Sequence, residues 1–383
     1  MNSGKLVKLR LSNHHISDKK FKTAKEIVAW MGAIQAQDHN MAKWAVGIRL
    51  PGSTDKMVEE SIDKGDVIRT HLLRPTWHLV SADDIYWMLG LTAPRIKASM
   101  RSRNKQLGLT DDIFARCNDI LENALSGGRY LAREELEVEL AGEIANAKTT
   151  TEGSRLSHIL MQAELDGIIC SGPRRDKKIT YALLSERVTE AEPLSRAEAV
   201  LKLASRYFTS HGPATLQDFV WWSGLSVTEA RPALKLLGPD FVSETTGSQT
   251  YWFPDPGQDS VSTERSENSV HLLPAFDELI ISYRDRSAFL PSEDHSKAIS
   301  SNGMFRPVIL VNGKVAGTWK RTLKKDKVMI EPQFFQSPDE DIVKLLESAA
   351  VGYGQFLRQE VEVGGVTLQW GWKEEPKGRK SAC

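Results

Sequence analysis

Between residues 113 and 253 one order of elements is written twice: three amphipathic stretches, each ended by a break, then two β-prone runs around a turn. In the first copy, residues 113–125 have helical spacing and stop at Gly127-Gly128. Residues 131–140 read as a second short helix. Residues 154–165 read as a third, with Leu156, Ile159, Leu160 and Ala163 on one side and Gly167 at its end. Two β-prone runs, 168–170 and 179–183, then bracket Gly172-Pro173 and the basic run Arg174-Arg175-Asp176-Lys177-Lys178. Three helices and a hairpin predict a winged helix-turn-helix, with the basic run at the wing tip, where such units touch phosphates.

The second copy opens at Ser195, which with Glu198 has the form of an N-terminal capping box. His211-Gly212-Pro213 turns the chain into a helix over 215–222, and Ser226 with Glu229 caps a third helix to Leu237. Runs at 241–243 and 250–253 flank Gly247-Ser248. This wing has no basic tip, so it is expected to pack or position.

A third copy is predicted at the N-terminus, with helices over 23–34 and 55–64 and a wing-like β stretch over 67–80. Alternation puts Thr70, Leu72, Arg74, Thr76, His78 and Val80 on one face, and Leu73, Pro75, Trp77 and Leu79 on the other. The first face carries an unusual polar row, Arg74, Thr76 and His78; Trp77 and Trp44 are read as core. Past a Pro/Gly/Ser-rich link over 254–269 the pattern turns to β. Strands are expected at 271–274, 307–311, 315–319, 327–331 and 366–370, with an Asn312-Gly313 hairpin turn and a helix over 339–357. The fold class is therefore α+β: tandem winged helix-turn-helix units, three of them, closed by a small C-terminal β-barrel-like domain. The boundaries read as 1–95, 96–190, 191–262 and 263–383.

Composition narrows the function by exclusion. The 383 residues are 40% hydrophobic and 26% charged, as in a globular protein with a real core. No run approaches the ~18 apolar residues of a membrane span. The start lacks the apolar core of a secretory signal, so a cytoplasmic bacterial-type protein and no membrane partner are expected. Cys117, Cys170 and Cys383 are too few and too scattered for a disulfide framework or a zinc cluster. The nine histidines never fall in HxxxH spacing, and no GxxxxGK[ST], GxGxxG or GxSxG is present. No metal and no cofactor are expected. Net charge is +0 but unevenly spread, with Arg95, Lys97, Arg101, Arg103 and Lys105 in one acid-free stretch and Lys320, Arg321, Lys324, Lys325 and Lys327 in a further basic cluster.

One further feature concerns chemistry. Gln35-Ala36-Gln37 lies just past the first predicted helix. Two positions apart, the amides share a face only if the backbone is extended. Carboxamides offer donors and acceptors but no titratable proton. Such a pair can hold a water and cannot act as a general base, so it can assist only a substrate already close to breaking.

The chain resembles the AlkZ-like bacterial DNA glycosylases. The matching stretches are Gln35-Ala36-Gln37-Asp38, Arg74-Pro75-Thr76-Trp77-His78-Leu79-Val80, Leu272-Leu273-Pro274-Ala275-Phe276-Asp277, Asn302-Gly303-Met304-Phe305-Arg306-Pro307 and Val315-Ala316-Gly317-Thr318-Trp319. The resemblance implies three winged-helix units around a cleft with a C-terminal β-barrel. It implies metal-independent excision of alkylated purines from double-stranded DNA, with Gln35 and Gln37 as the catalytic pair. An N7-alkylated purine leaves as a neutral base, so no general acid is needed. The amides would orient a water near C1′ and favour an oxocarbenium-like sugar. Whether the base is flipped, and whether interstrand crosslinks are unhooked, stays open. DNA contacts are assigned to Arg74, Thr76, His78, Arg101, Arg103, Arg174, Arg175, Lys177 and Lys178. Asp277 and Arg306 read as a structural pair or scaffold rather than DNA ligands, and a C-shaped monomer is expected. The competing reading is a non-catalytic winged-helix DNA-binding protein or regulator.

Overall fold

The computed structural model describes residues 1–144, 152–255, 268–364 and 366–368. The order helix, short strand, two helix segments, hairpin occurs three times. In the first repeat, Thr23 and Glu26 form a capping box that starts the helix Ala24–Met31. Strand Ile34–Gln35, helices His39–Gly47 and Asp55–Lys64 and strands Val67–Leu72 and Thr76–Ser81 follow. The second repeat has helix Asp111–Leu125, strand Leu131–Ala132, helix Arg133–Glu139 with the short Ala141–Ile144, and helix Glu152–Leu165. Its hairpin is Ile169–Arg175 with Lys178–Leu183. In the third, helices Arg196–His211, Leu216–Ser223 and Val227–Leu236 precede strands Phe241–Thr246 and Gln249–Pro254, and Ala214 bridges to Trp252. Each time the short first strand pairs with the last strand of the hairpin.

Several sequence expectations are corrected. The first helix ends at Met31, because Gly32 turns at φ 76°, and Ile34 is already strand. The stretch 67–80 is two strands, not one: Leu73 takes φ 60° and the chain folds back so that Leu72 pairs with Thr76. Thr70 then faces His78 across the hairpin, so the even-numbered residues still share a face. Leu131–Ala132 is a strand edge rather than the start of a helix. The wing of the second repeat does turn within its basic run, at Asp176-Lys177, both at positive φ.

The C-terminal strands form an open six-stranded sheet, not a closed barrel. Val270–Leu273 is one edge and Val366–Leu368 the other. Helix Glu340–Leu357 provides the crossover that makes Lys327–Phe334 and Glu360–Val363 parallel. It packs on Val270–Leu273 and Glu360–Val363, the two sides that a closed barrel would bring together. Asn312 and Gly313, at φ 49° and 78°, make the anticipated hairpin turn. Most of the expected link, and residues 369–370 of the last expected strand, lie outside the described residues.

Two large cores organise the chain. One is shared by the first repeat, the third repeat and the sheet, and runs from Ile27 and Val46 through Phe208 and Trp222 to Trp319 and Phe356. The second repeat has its own core around Leu121, Leu136, Leu156 and Tyr181. Helix Ile85–Gln106 joins the first two repeats. Among the described residues no helix is long and apolar enough to cross a membrane.

Candidate active site

Gly32 ends the first helix where a Cβ would meet the Trp222 ring at 3.3 Å, so the chain turns and runs extended. Gln35 pairs with His78, and the amide N–H of Ala36 donates to Trp77 O at 2.7 Å. Asp38 then caps the next helix through the N–H of Met41 at 3.0 Å. The backbone at Gln35 is therefore strand. Alternation separates two faces of this small sheet, with Gln35, His78, Thr70 and Thr76 on one, and Ala36, Arg69, His71 and Trp77 on the other.

The two glutamines sit in unequal surroundings. Gln35 is 9% exposed; its N–H donates to Glu278 Oε1 at 2.7 Å, and its Oε1 accepts from Arg74 Nη2 at 3.2 Å. Gln37 is exposed, and its side chain makes no hydrogen bond among the described residues. Held carbonyl and free amide thus lie two residues apart.

Glu278, in the turn after the first strand of the large sheet, was not singled out from sequence. It also accepts from Trp222 Nε1 at 3.1 Å and from the Ser282 hydroxyl, and His211 Nε2 lies 3.8 Å away. Burial alone would raise its pKa; His211, Ser282 and His78 outweigh that and hold it at about 2. It is a permanent buried carboxylate one peptide from Gln35. The preceding Asp277 pairs with Arg49, not with Arg306, whose side chain is exposed. Arg74 is half-buried: burial lowers its pKa and Glu278 opposes that.

Burial corrects the assignment of His78 as a DNA contact. It is 0% exposed, and Nδ1 must carry the proton it donates to Thr76 O at 2.9 Å, leaving Nε2 an unpartnered acceptor. Burial first, and Arg74 second, push its pKa down to about 3. Thr76 is half-buried, with its hydroxyl oxygen shielded and unpartnered. Trp44 is core, as expected; Trp77 is only half-buried.

The basic wing is not a free cationic patch. Arg174 pairs with Glu59 at 3.3 Å, Arg175 with Glu135, and Lys178 with Glu134 at 3.4 Å. Among the described residues Lys177 is the one cation of this run without an ion pair. Arg101 and Arg103 are exposed on helix Ile85–Gln106, with Arg103 donating to Gln106 at 3.1 Å, and no contact links them to the glutamines. Two other arginines do come near. Arg321 reaches from the large sheet to within 3.9 Å of Asp38, and Arg286 lies 5.2 Å from the ring centres of both Trp221 and Phe305. Burial first, and repulsion from the Arg74 cation second, lower the Arg286 pKa, so that shelf lies on the Arg74 side of the sheet. Trp221 is exposed and anchored by its Nε1 on Ile281 O at 2.9 Å.

No group of three or more His, Cys, Asp or Glu among the described residues is arranged to hold a metal ion. A cleft of about 940 Å³ lies between the third repeat, at Thr215, Arg231 and Trp252, and Arg284, and neither Gln35 nor Gln37 lines it.

Residues 28–356 match the family described as DNA glycosylase AlkZ-like. The chain belongs to the AlkZ-like DNA glycosylase family. Among curated proteins it is 24% identical over 330 residues to the interstrand DNA cross-link repair glycosylase of Streptomyces sahachiroi, covering 81% of this chain and 85% of that protein. Among solved structures, the Streptomyces sahachiroi DNA glycosylase AlkZ superposes with a TM-score of 0.78 at 19% identity, over 95% of this chain and 99% of the other. This AlkZ-like chain therefore shares the mixed α+β architecture and its open sheet.

Proposed function

We propose that this AlkZ-like protein hydrolyses the N-glycosidic bond of cationic N7-alkylated purines in double-stranded DNA, as a monomer and without a metal. The carrying observation is what surrounds the paired amides. Neither titratable group packed beside Gln35 serves as a proton donor at neutral pH: His78 is sealed off with a pKa near 3, and Glu278 is ionised and fully engaged. Asp38 is a carboxylate whose oxygen caps a helix. A site without an acid cannot expel an ordinary base, but a cationic alkylpurine leaves neutral and needs none.

In this reading the free Gln37 amide holds the attacking water near C1′, while Gln35, its carbonyl fixed by Arg74, donates from its NH₂ to orient the same water or the sugar. Glu278 supplies a fixed negative charge that favours the oxocarbenium-like sugar. Holding the water contributes several kcal/mol. The three repeats act as winged-helix units, and Arg74, Arg101, Arg103 and the wing residues Arg174, Arg175, Lys177 and Lys178 are the candidates for phosphate contact. The relative's name makes crosslinked duplexes a second substrate to assay. Incubation with methylated duplex DNA is expected to free N7-methylguanine and to leave unmodified guanine in place. Tight duplex binding with no base released from any alkylated substrate would instead establish the non-catalytic DNA-binding reading.

The wing adds a sharper expectation. Lys177 has no carboxylate to leave, so Lys177→Ala is expected to flatten the dependence of log K on log salt by about one unit, and Arg175→Ala by less. Equal salt slopes for wild type and Lys177→Ala would remove the wing from the interface.

A further inference from the structure

Arg69 is a buried cation with no close carboxylate. It is 5% exposed, on the sheet face opposite Gln35, in a strand whose neighbours Ile68 and Thr70 are also buried. Placing a charge there is costly unless its hydrogen-bonding groups are all met. They are met in an unusual way. Nε and Nη2 both donate to the carbonyl oxygen of Ala36, at 3.2 and 3.1 Å, and Nη1 reaches Ser171 Oγ at 3.4 Å. The guanidinium also lies 4.6 Å from the centre of the Trp77 ring, and Glu164 is its more distant counter-charge. Glu164 itself is taken by the ring and the amide N–H of His71.

Ala36 stands between the two glutamines, and each polar group of the backbone about it is held from a different part of the molecule. The N–H of Gln35 goes to Glu278, that of Ala36 to Trp77 O, and the carbonyl of Ala36 takes both guanidinium bonds. The carbonyl of Ala36 is the first half of the peptide that carries Gln37. Two donors of one planar guanidinium converge on that oxygen and hold it from two directions, which a point-charge donor such as lysine does not. Gln37 has no side-chain partner of its own, so this peptide is what aims it.

From this the geometry points to Arg69 as a positioning residue that orients Gln37 through the Ala36–Gln37 peptide, from behind the sheet and without touching DNA. The inference rests on the glycosylase reading given above. Nothing in the spacing of the sequence announces it, because a charged residue in a buried strand shows its purpose only when its partner, here a main-chain oxygen, is seen.

The experiment is a double-mutant cycle on single-turnover base release from a methylated duplex, with DNA affinity measured alongside. Arg69→Met is expected to slow release about tenfold to a hundredfold with unchanged affinity, since small misplacements of a positioning group have effects of that size. Arg69→Lys, which keeps the charge and one donor, is expected to recover part of the rate and stands in should Arg69→Met fold poorly. In a Gln37→Ala background either Arg69 variant should cost nothing further, because the residue it aims is gone. A full rate for the Arg69 variants, or the same fold-loss with and without Gln37, overturns the proposal while leaving the glycosylase reading intact. A full rate for Gln37→Ala alone overturns both.

Discussion

Asp277→Ala is expected to lower folding stability by about 3–5 kcal/mol, the range for breaking a buried ion pair from one side. Arg49 and Asp277 meet through two bonds of 2.8 Å, with side chains 1% and 0% exposed. Arg49 also donates to His14 O at 2.9 Å and Ala45 O at 2.8 Å, and Asp277 accepts from Leu279 N at 2.9 Å. This knot ties the first repeat to the turn of the large sheet, next to the Trp44 indole on Leu272 O at 2.7 Å. Removing the carboxylate strands a guanidinium in the shared core. Replacing both partners, as Arg49→Met with Asp277→Leu, should cost less than Asp277→Ala alone, because no orphan charge remains. Urea unfolding of the three variants checks the order; a loss under about 1 kcal/mol for Asp277→Ala would contradict it. The turn that Asp277 stabilises also presents Glu278 to Gln35, so the same variant is expected to slow catalysis.

Mild acid is the second large effect. His14, His78 and His211 are each 0% exposed, and burial is the first cause holding each below the ordinary imidazole value. The unfolded chain would protonate all three near 6.5, whereas the folded chain resists; His78 resists down to about 3. Below 6.5 the unfolded state therefore binds more protons, and stability falls with pH by about 1.4 kcal/mol per unit for His78, with His14 and His211 acting in the same direction. His78 alone contributes about 1 kcal/mol between pH 6 and 5, set against the roughly 5–15 kcal/mol that holds a domain folded. Glu278 acts in the same direction lower down: its contribution is complete above about 4.5 and is lost as pH falls toward about 2. Denaturant midpoints should be level above pH 7 and drop below 6.5, with protons taken up on unfolding near pH 5.5. Equal stability at pH 7 and pH 5 would show that the unfolded chain shields these imidazoles as well.

Where local signals are strong, the sequence reads well. The capping boxes at Ser195–Glu198 and Ser226–Glu229 start helices where expected, because a side chain and a main-chain N–H three residues apart decide the matter locally. The repeated order follows from such signals. Two-residue strands such as Leu131–Ala132 are too short to show a period, and so merged with the helix after them. The turn at Leu73 was hidden because no glycine or asparagine marks its positive φ. The wing charges looked free since Glu59, Glu134 and Glu135 come from other elements. His78 belongs to a face that alternation identified, but alternation does not say what covers that face. Glu278 and Arg69 were invisible for one reason: each serves main-chain atoms, which every residue has.

Single-turnover release of N7-methylguanine by Gln37→Ala tests the central claim most directly, since Gln37 alone of the pair is unengaged. The expected result is a rate lower by about 10²-fold or more, the scale for losing an oriented dipole at the reacting centre, with duplex affinity unchanged. Base release at the wild-type rate by Gln37→Ala would contradict it.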